Sequence, residues 1–212
     1  MIGPNLNAAR EKYRRHAPGY DASARRTEPL RRRAIEALRL NPGDTVADVG
    51  CGTGLSFDGL QRRIGPQGTL IGIEPSPEMM TLARRRVRSL GWKNVILLES
   101  PAEGARWDEP ADAYLFNFAH DVLRSRAALE NLFRQAAPNA KISASGMKFL
   151  PWCLAPANLI VKRMARPYLT TFEGFSRPWT LLEDYAPRLE VAKSGLGLFY
   201  LARGTFSGAR PR

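Results

Sequence analysis

The chain has 212 residues, of which 44% are hydrophobic and 25% charged, the composition of one ordinary globular domain. It contains no apolar run near the ~18 residues of a membrane span, and residues 1–20 lack the apolar segment of a signal peptide. The net charge of +12, with 26 arginines against 6 lysines, favours an acidic partner such as nucleic acid, anionic lipid or an anionic substrate. A solvated, soluble surface explains the charge equally well.

Short apolar strands alternate with helical patterns along most of the chain. We predict helices at residues 28–38, 55–64, 77–90 and 126–136, the last closed by Pro138-Asn139. The predicted strands are 45–49, 69–73, 94–98, 113–118 and 141–145, followed by a hairpin of 189–194 and 198–202. This alternation predicts an α/β domain with a parallel, doubly wound sheet. The two cysteines, Cys51 and Cys153, cannot form a disulfide framework, so we expect reduced thiols in a cytoplasmic protein.

The most informative stretch is an apolar strand that ends in Asp48 and continues into three alternating glycines, Gly50, Gly52 and Gly54. A strand, a glycine-rich turn and a helix form a nucleotide pocket in parallel α/β sheets, because backbone without Cβ atoms can approach a ligand closely. The spacing is not that of a dinucleotide fingerprint, since Leu55 takes the third small position. Asp48 would repel a pyrophosphate, so a cationic ligand such as S-adenosylmethionine fits better.

The glycine pattern resembles motif I of the class I S-adenosylmethionine-dependent methyltransferases, and the resemblance extends from about residue 13 to 203. Glu74 ends the second predicted strand, where the family's acid accepts hydrogen bonds from both ribose hydroxyls. The resemblance implies one Rossmann-like domain over residues 1–212, with a seven-stranded sheet whose last strand is antiparallel. It implies S-adenosylmethionine as cofactor and no metal. The implied cofactor contacts are Asp48, Gly50, Gly52, Gly54, Glu74, Pro75, Met79, Ser100, Pro101, Ala102, Asn117, Phe118 and Tyr20.

The predicted adenine site departs from the family pattern. Many relatives carry an aspartate after the third strand that contacts the adenine amino group, and Pro101 holds that position here. We expect the contact to be lost or to move to Ser100 or Glu103. The backbone N–H of Ala102 remains available to the ring.

The acceptor is expected at the end of the fourth strand, in the stretch from Asn117 to Asp121, because ligands bind outside the carboxyl ends of parallel strands. Methyl transfer from a sulfonium is an in-line displacement in which positioning supplies much of the acceleration. His120 is the candidate general base, since its ordinary pKa suits proton transfer at neutral pH. The alternative is that His120 only caps a turn or packs against the cofactor. Phe118 is expected to form a wall of the site.

Two further segments are expected to cover the site. Tyr20-Asp21, in the N-terminal segment of residues 1–27, is similar to the quinone-biosynthesis methyltransferases and the bacterial phosphatidylethanolamine N-methyltransferases, where this segment is a lid. Residues 148–179, called the cap below, interleave large apolar residues with Lys148, Lys162, Arg163 and Arg166, and we predict that they cover the acceptor. For Trp152 and the aromatics from Tyr168 to Trp179, packing in the core explains the pattern equally well.

We therefore expect S-adenosylmethionine-dependent methyl transfer to a small-molecule or lipid-like, lipophilic acceptor. The basic rim of the cap allows peripheral contact with an anionic membrane. One alternative is an rRNA or tRNA methyltransferase, but Asn117 is followed by Phe-Ala-His rather than by the Pro-Pro-Tyr/Phe of base-amino methylating enzymes. We expect no specific nucleic-acid partner. The other alternative is a non-catalytic cofactor-binding or scaffold protein, and the sequence predicts no oligomeric state.

Overall fold

The computed structural model describes residue 21 and residues 25–166 and 169–208, and these form a seven-stranded sheet with helices on both faces. The strands are β1 (Thr45–Val49), β2 (Thr69–Ile73), β3 (Val95–Leu98), β4 (Ala111–Asn117), β5 (Ala136–Met147), β6 (Glu190–Ser194) and β7 (Phe199–Thr205). The helices are α1 (Glu28–Ala37), α2 (Phe57–Ile64), α3 (Pro77–Leu90), α4 (His120–Leu123), α5 (Arg126–Phe133) and α6 (Asn158–Ala165). Three 3-10 helices span Arg25–Thr27, Trp152–Ala157 and Thr180–Asp184.

The sheet has the strand order β3-β2-β1-β4-β5-β7-β6, and β7 is antiparallel to both of its neighbours. This confirms the predicted doubly wound sheet with an antiparallel last strand. The chain crosses over between β1 and β4, whose carboxyl ends pair at Val49 and Phe116. A ligand is expected outside such a switch point, where connections diverge to the two faces of the sheet.

Alternate residues of each strand face the two layers of helices, as the two-residue period of a strand requires. On β1, Val46 packs with α1 and α2, whereas Ala47 and Val49 pack in the layer that contains α5. Asp48 has the parity of Val46, which directs its carboxylate toward the α1 and α2 face. The strand pattern therefore places one charged group among apolar neighbours next to the glycines.

The predicted end of the helix at 126–136 was wrong. Helix α5 ends at Phe133, and Pro138 and Asn139 lie inside β5, where the pairing with β4 shifts register. Proline cannot donate a ladder hydrogen bond, and Asn139 adopts a φ of 60°, so both are accommodated in an irregular stretch of the strand. Their helix-stopping character therefore marks a bulge rather than a helix end.

The cap follows the carboxyl end of β5. Its buried residues Val161, Ala165, Leu169 and Phe175 form a small apolar cluster that is separate from the two main cores. Within the described part of the chain, no helix has both the length and the apolar character that a bilayer crossing requires.

Candidate active site

The glycine turn, residues 50–54, lies directly on the end of β2. The N–H groups of Gly50 and Cys51 both donate to the carbonyl of Ile73, at 2.9 and 3.0 Å. Gly54 has a φ of 79°, and a Cβ at this position would lie 2.6 Å from the ring of Phe57. The turn can therefore follow this path only with glycine at position 54.

Asp48 is a buried acid, and its neighbours do not fully compensate the burial of its carboxylate. Its carboxylate is 1% exposed, and Oδ2 has no hydrogen-bond partner among the described residues. Burial raises the pKa of Asp48 to about 7, although the charge of Arg31 and a hydrogen bond with Ser56 oppose the shift. A ligand that brings positive charge or a donor to this carboxylate would relieve the cost of its burial.

Glu74 holds the glycine turn and the start of α3 together. Its Oε2 accepts from the N–H of Gly52 at 3.1 Å, and its Oε1 accepts from the N–H of Ser76 at 2.9 Å. Burial raises the pKa of Glu74 to about 7, because it outweighs the two backbone hydrogen bonds. Each oxygen keeps a second lone pair, so the carboxylate can still accept hydrogen bonds from a diol.

Arg31 contributes to this site, and the sequence analysis missed it. The side chain is 4% exposed, forms an ion pair with Glu28, and lowers the pKa of Asp48 through its charge. In the sequence it is one of many arginines, for which an acidic partner and a solvated surface are equally supported. The signal was available, because Arg31 shares the buried stripe of α1 with Ala34 and Ile35 at helical spacing.

Asp21 ties the N-terminal segment to the glycine turn. Its Oδ1 accepts from Oγ1 of Thr53 at 2.6 Å, and its Oδ2 accepts from the guanidinium of Arg86 at 2.7 Å. Arg86 also donates to the carbonyl of Thr53 at 2.9 Å. The three residues thus link the segment, the turn and α3. Tyr20, the predicted contact beside Asp21, lies outside the described residues.

On the predicted adenine side of the site, polar side chains already form hydrogen bonds within the protein. Glu103 accepts from Oγ of Ser125 at 2.6 Å, and Oγ of Ser100 lies 3.0 Å from the carbonyl of Pro101. Ala102 is buried in the main core. Of the two side chains expected to replace the missing aspartate, Ser100 is the one not engaged with α5.

Helix α3 begins with an N-cap at Ser76, whose Oγ accepts from the N–H of Met79. Pro75 is half-buried beside Glu74. Met79, a predicted cofactor contact, is fully buried and presents no exposed surface to a ligand in this structure.

The end of β4 brings three of the predicted residues to the switch point. Phe118 has a φ of 59°, a strained conformation for a bulky residue, and its N–H donates to the carbonyl of Ser145 at 2.7 Å. Asn117 accepts from Oγ of Ser145 at 2.6 Å. Ala119 lies so close to Gly50 that a Cβ there would be 3.3 Å from that of Ala119. The candidate acceptor strand and the glycine turn are therefore in direct contact.

His120 is buried at this junction, with 6% of its surface exposed. Neither ring nitrogen has a hydrogen-bond partner among the described residues, and the ring lies edge-on to Phe175 with centroids 5.1 Å apart. Burial, followed by the charge of Arg124, lowers the pKa of His120 to about 4, while the backbone near Glu173 opposes the shift. The imidazole is therefore neutral at pH 7, but its lowered pKa makes it a weaker base than the histidine of ordinary pKa that the sequence predicted.

The cap is fastened to α4, the helix that carries His120. Asp121 accepts from both the N–H and Oγ1 of Thr170, at 3.2 and 2.8 Å, and Arg124 lies 3.9 Å from Glu173. Phe175 stands between His120 and the rest of the cap cluster.

The aromatic residues of the cap take different places. Phe149, Phe172 and Phe175 stack edge-on or in parallel within the cap cluster. Trp179 packs in the main core against Tyr200, with ring centroids 5.0 Å apart, so core packing holds for this residue. Trp152 is 89% exposed. Tyr168 lies outside the described residues.

Comparison with known proteins identifies the part of the chain that carries the glycine turn. Residues 46–139 match the family described as a methyltransferase domain. The chain is 30% identical over 146 residues to 2-phytyl-1,4-naphtoquinone methyltransferase of Trichormus variabilis, covering 64% of this chain and 62% of that protein. It is 35% identical over 97 residues to demethylmenaquinone methyltransferase of Symbiobacterium thermophilum, covering 42% of this chain and 38% of that protein.

Among solved structures, an S-adenosylmethionine-dependent methyltransferase from Aquifex aeolicus matches with a TM-score of 0.58 and 24% identity, covering 83% of this chain and 89% of that chain. This likeness confirms the fold. The family match, together with the fold, confirms the predicted methyltransferase domain over residues 46–139. The chain spans only 38% to 62% of the two curated relatives described above.

Proposed function

We propose that this chain, whose residues 46–139 match a methyltransferase domain, transfers a methyl group from S-adenosylmethionine to a small, lipophilic acceptor. The observation that carries the proposal is the burial of His120 against an aromatic cluster beside the glycine turn. Similarity to two methyltransferases named for naphthoquinone-type compounds supports an acceptor that is aromatic and apolar.

The cofactor half of the site would bind S-adenosylmethionine through two acids. Glu74 would accept hydrogen bonds from the ribose hydroxyls, and Asp48 would favour the positive charge of the ligand. The backbone of Gly50 and Gly52 would let the ligand lie against the turn. These roles extend the resemblance residue by residue, and the raised pKa values show what each acid would gain from a bound donor or cation.

The acceptor half would provide an apolar enclosure and one base. Bound S-adenosylmethionine would supply an activated methyl group for in-line transfer to the acceptor atom. An acceptor hydroxyl or acidic C–H would give its proton to a ring nitrogen of His120. Phe175 and its aromatic neighbours would exclude water and hold a planar acceptor against the methyl group.

The proposal is tested by methyl transfer from labelled S-adenosylmethionine to reduced naphthoquinones with and without an isoprenoid tail. We expect transfer to the quinols and none to unmodified rRNA or tRNA. Replacement of Thr170 by Val removes the side-chain hydrogen bond to Asp121 and should lower turnover while cofactor affinity stays unchanged. Thr180→Val is the matched control, because Thr180 bonds only locally to the carbonyl of Arg177. Cofactor binding without transfer to any quinol, combined with transfer to RNA, would reject the acceptor class.

A further inference from the structure

The outer side of the cap concentrates exposed apolar residues. The described residues include seven large hydrophobic side chains that are strongly exposed, and five of them lie on the cap or the turn beside it. Those five are Trp152 at 89%, Leu159 at 75%, Ile160 at 63%, Met164 at 54% and Leu196 at 82%. The turn that carries Leu196 approaches Pro151, since a Cβ at Gly197 would lie 3.3 Å from its ring. A cluster of exposed apolar side chains of this kind marks a surface that binds a membrane or another protein.

Helix α6 has two apolar sides, of which one is buried and the other is exposed. Val161 and Ala165, one turn apart, are buried in the cap cluster. Ile160 and Met164, also one turn apart, are exposed on another side of the helix. Packing of the fold therefore explains the first pair and leaves the second pair unexplained.

The same surface is basic. From residue 149 to Phe172 the sequence contains three basic residues, Lys162, Arg163 and Arg166, and no acidic one. Lys162 and Arg163 are exposed on α6, and Nζ of Lys162 lies 5.6 Å from the centroid of the Phe149 ring. Long basic side chains beside exposed Trp, Leu and Ile are the combination that binds at the interface of an anionic bilayer.

We propose that the outer face of the cap, formed by Trp152, Leu159, Ile160, Met164, Lys162 and Arg163, docks on the surface of an anionic membrane. Trp152 would sit at headgroup level, the aliphatic side chains would enter the acyl boundary, and the basic side chains would pair with lipid phosphates. A second copy of the chain fits this surface less well. A two-fold contact would set the same basic residues against each other without an acid to pair them.

Docking in this orientation would place the candidate acceptor site next to the bilayer. The buried side of α6 belongs to the cluster that contains Phe175, and Phe175 contacts His120. A lipophilic acceptor could then pass from the membrane to the site without crossing water. This consequence rests on the proposed function, whereas the docking itself does not.

The test is co-sedimentation of the full chain with phosphatidylcholine vesicles, with and without a minor fraction of phosphatidylglycerol, at low and high salt. We expect binding only to the anionic vesicles, weakening as salt rises. Lys162→Glu with Arg163→Glu should reduce binding about tenfold or more. Arg85→Glu with Arg88→Glu is the matched control, because it makes the same charge change on exposed positions of α3 and should have a much smaller effect.

The apolar part is tested by Ile160→Ser with Met164→Ser, matched by Leu90→Ser at a similarly exposed position of α3. The cap variant should lose vesicle binding and the control should retain it. Tryptophan emission should shift to the blue on vesicle addition, and Trp152→Phe should abolish the shift. Equal losses from the cap and α3 charge variants would overturn the proposal. So would a wild-type dimer, seen by light scattering, that Ile160→Ser with Met164→Ser converts to a monomer. Because no step uses the cofactor, failed docking and failed methyl transfer are separate results.

Discussion

The two halves of the candidate site are built in different ways. The cofactor half uses backbone groups of the glycine turn and two acids at strand ends, Asp48 and Glu74. The acceptor half uses aromatic packing and one histidine, fastened by contacts between α4 and the cap. The family match covers residues 46–139 and ends within the first residues of β5, before the cap. The shared chemistry of the cofactor thus lies within the recognisable part, and specificity is left to a part that each chain can build separately.

The first and largest expected effect lies in the acceptor half. His120→Ala should lower turnover of the true acceptor by about 10²-fold if the imidazole is the general base. Cofactor affinity should change little. The pKa of about 4 means that the imidazole is neutral above that pH, so kcat/KM should stay flat from neutral pH down to about pH 5. Rates measured across this range would decide the role, and His120→Phe serves as the packing control. Equal turnover in wild type and His120→Phe would show that the residue only packs.

The second prediction concerns the cofactor half. Glu74→Ala removes the acceptor for two backbone N–H groups and for the ribose, and should weaken S-adenosylmethionine binding by about 1–3 kcal/mol. Calorimetry measures the loss directly. Glu99→Ala is the control, since Glu99 is exposed and pairs only with Arg84 in the described structure. Unchanged affinity in Glu74→Ala would contradict the assignment.

A third prediction separates stability from function in the same half. The pKa of Asp48 is raised on folding, so its favourable contribution is complete below pH 4 and is lost as the pH rises through about 7. Asp48→Asn should therefore stabilise the free protein by about 1–2 kcal/mol at about pH 8 and by much less at about pH 5. Thermal unfolding at both pH values measures this, while cofactor affinity should fall. A variant that is less stable than wild type at about pH 8 would show that Arg31 and Ser56 compensate the buried charge.

The smallest effect is expected where the N-terminal segment meets the turn. Asp21→Asn weakens the links to Thr53 and Arg86, which are partly exposed, so cofactor affinity should fall only a few-fold. Faster cofactor dissociation in stopped-flow measurements is the expected signature. Asp58→Asn, which removes a surface ion pair with Arg62 on α2, is the matched control. Identical dissociation rates in the two variants would show that the segment does not retain the cofactor.

The sequence predicted the cofactor half well because local chemistry specifies it. Strands β1 and β2 and helix α3 have the predicted bounds, since a Ser76 cap opens α3 and Gly91, with a φ of 68°, ends it. Three features escaped prediction because distant parts of the chain create them. These are the burial of Arg31 beside Asp48, the bonds of Asp21 and the bulge at Pro138. In the cap, the apolar pattern did not distinguish the buried Val161 from the exposed Ile160, because the three-dimensional fold decides which side of α6 is covered.

If S-adenosylmethionine binds as proposed, the two acids with a pKa of about 7 would bind the substrate form of the cofactor more tightly than the product. S-adenosylmethionine carries a sulfonium, whereas the thioether formed by transfer has lost that positive charge. Above neutral pH, where Asp48 and Glu74 ionise, their negative charge favours the incoming cation and gains less from the spent cofactor. Loss of the methyl group thereby loosens the ligand at the moment when it must leave. The cost of keeping two acids buried in the empty site would then promote exchange of product for fresh cofactor, turnover after turnover.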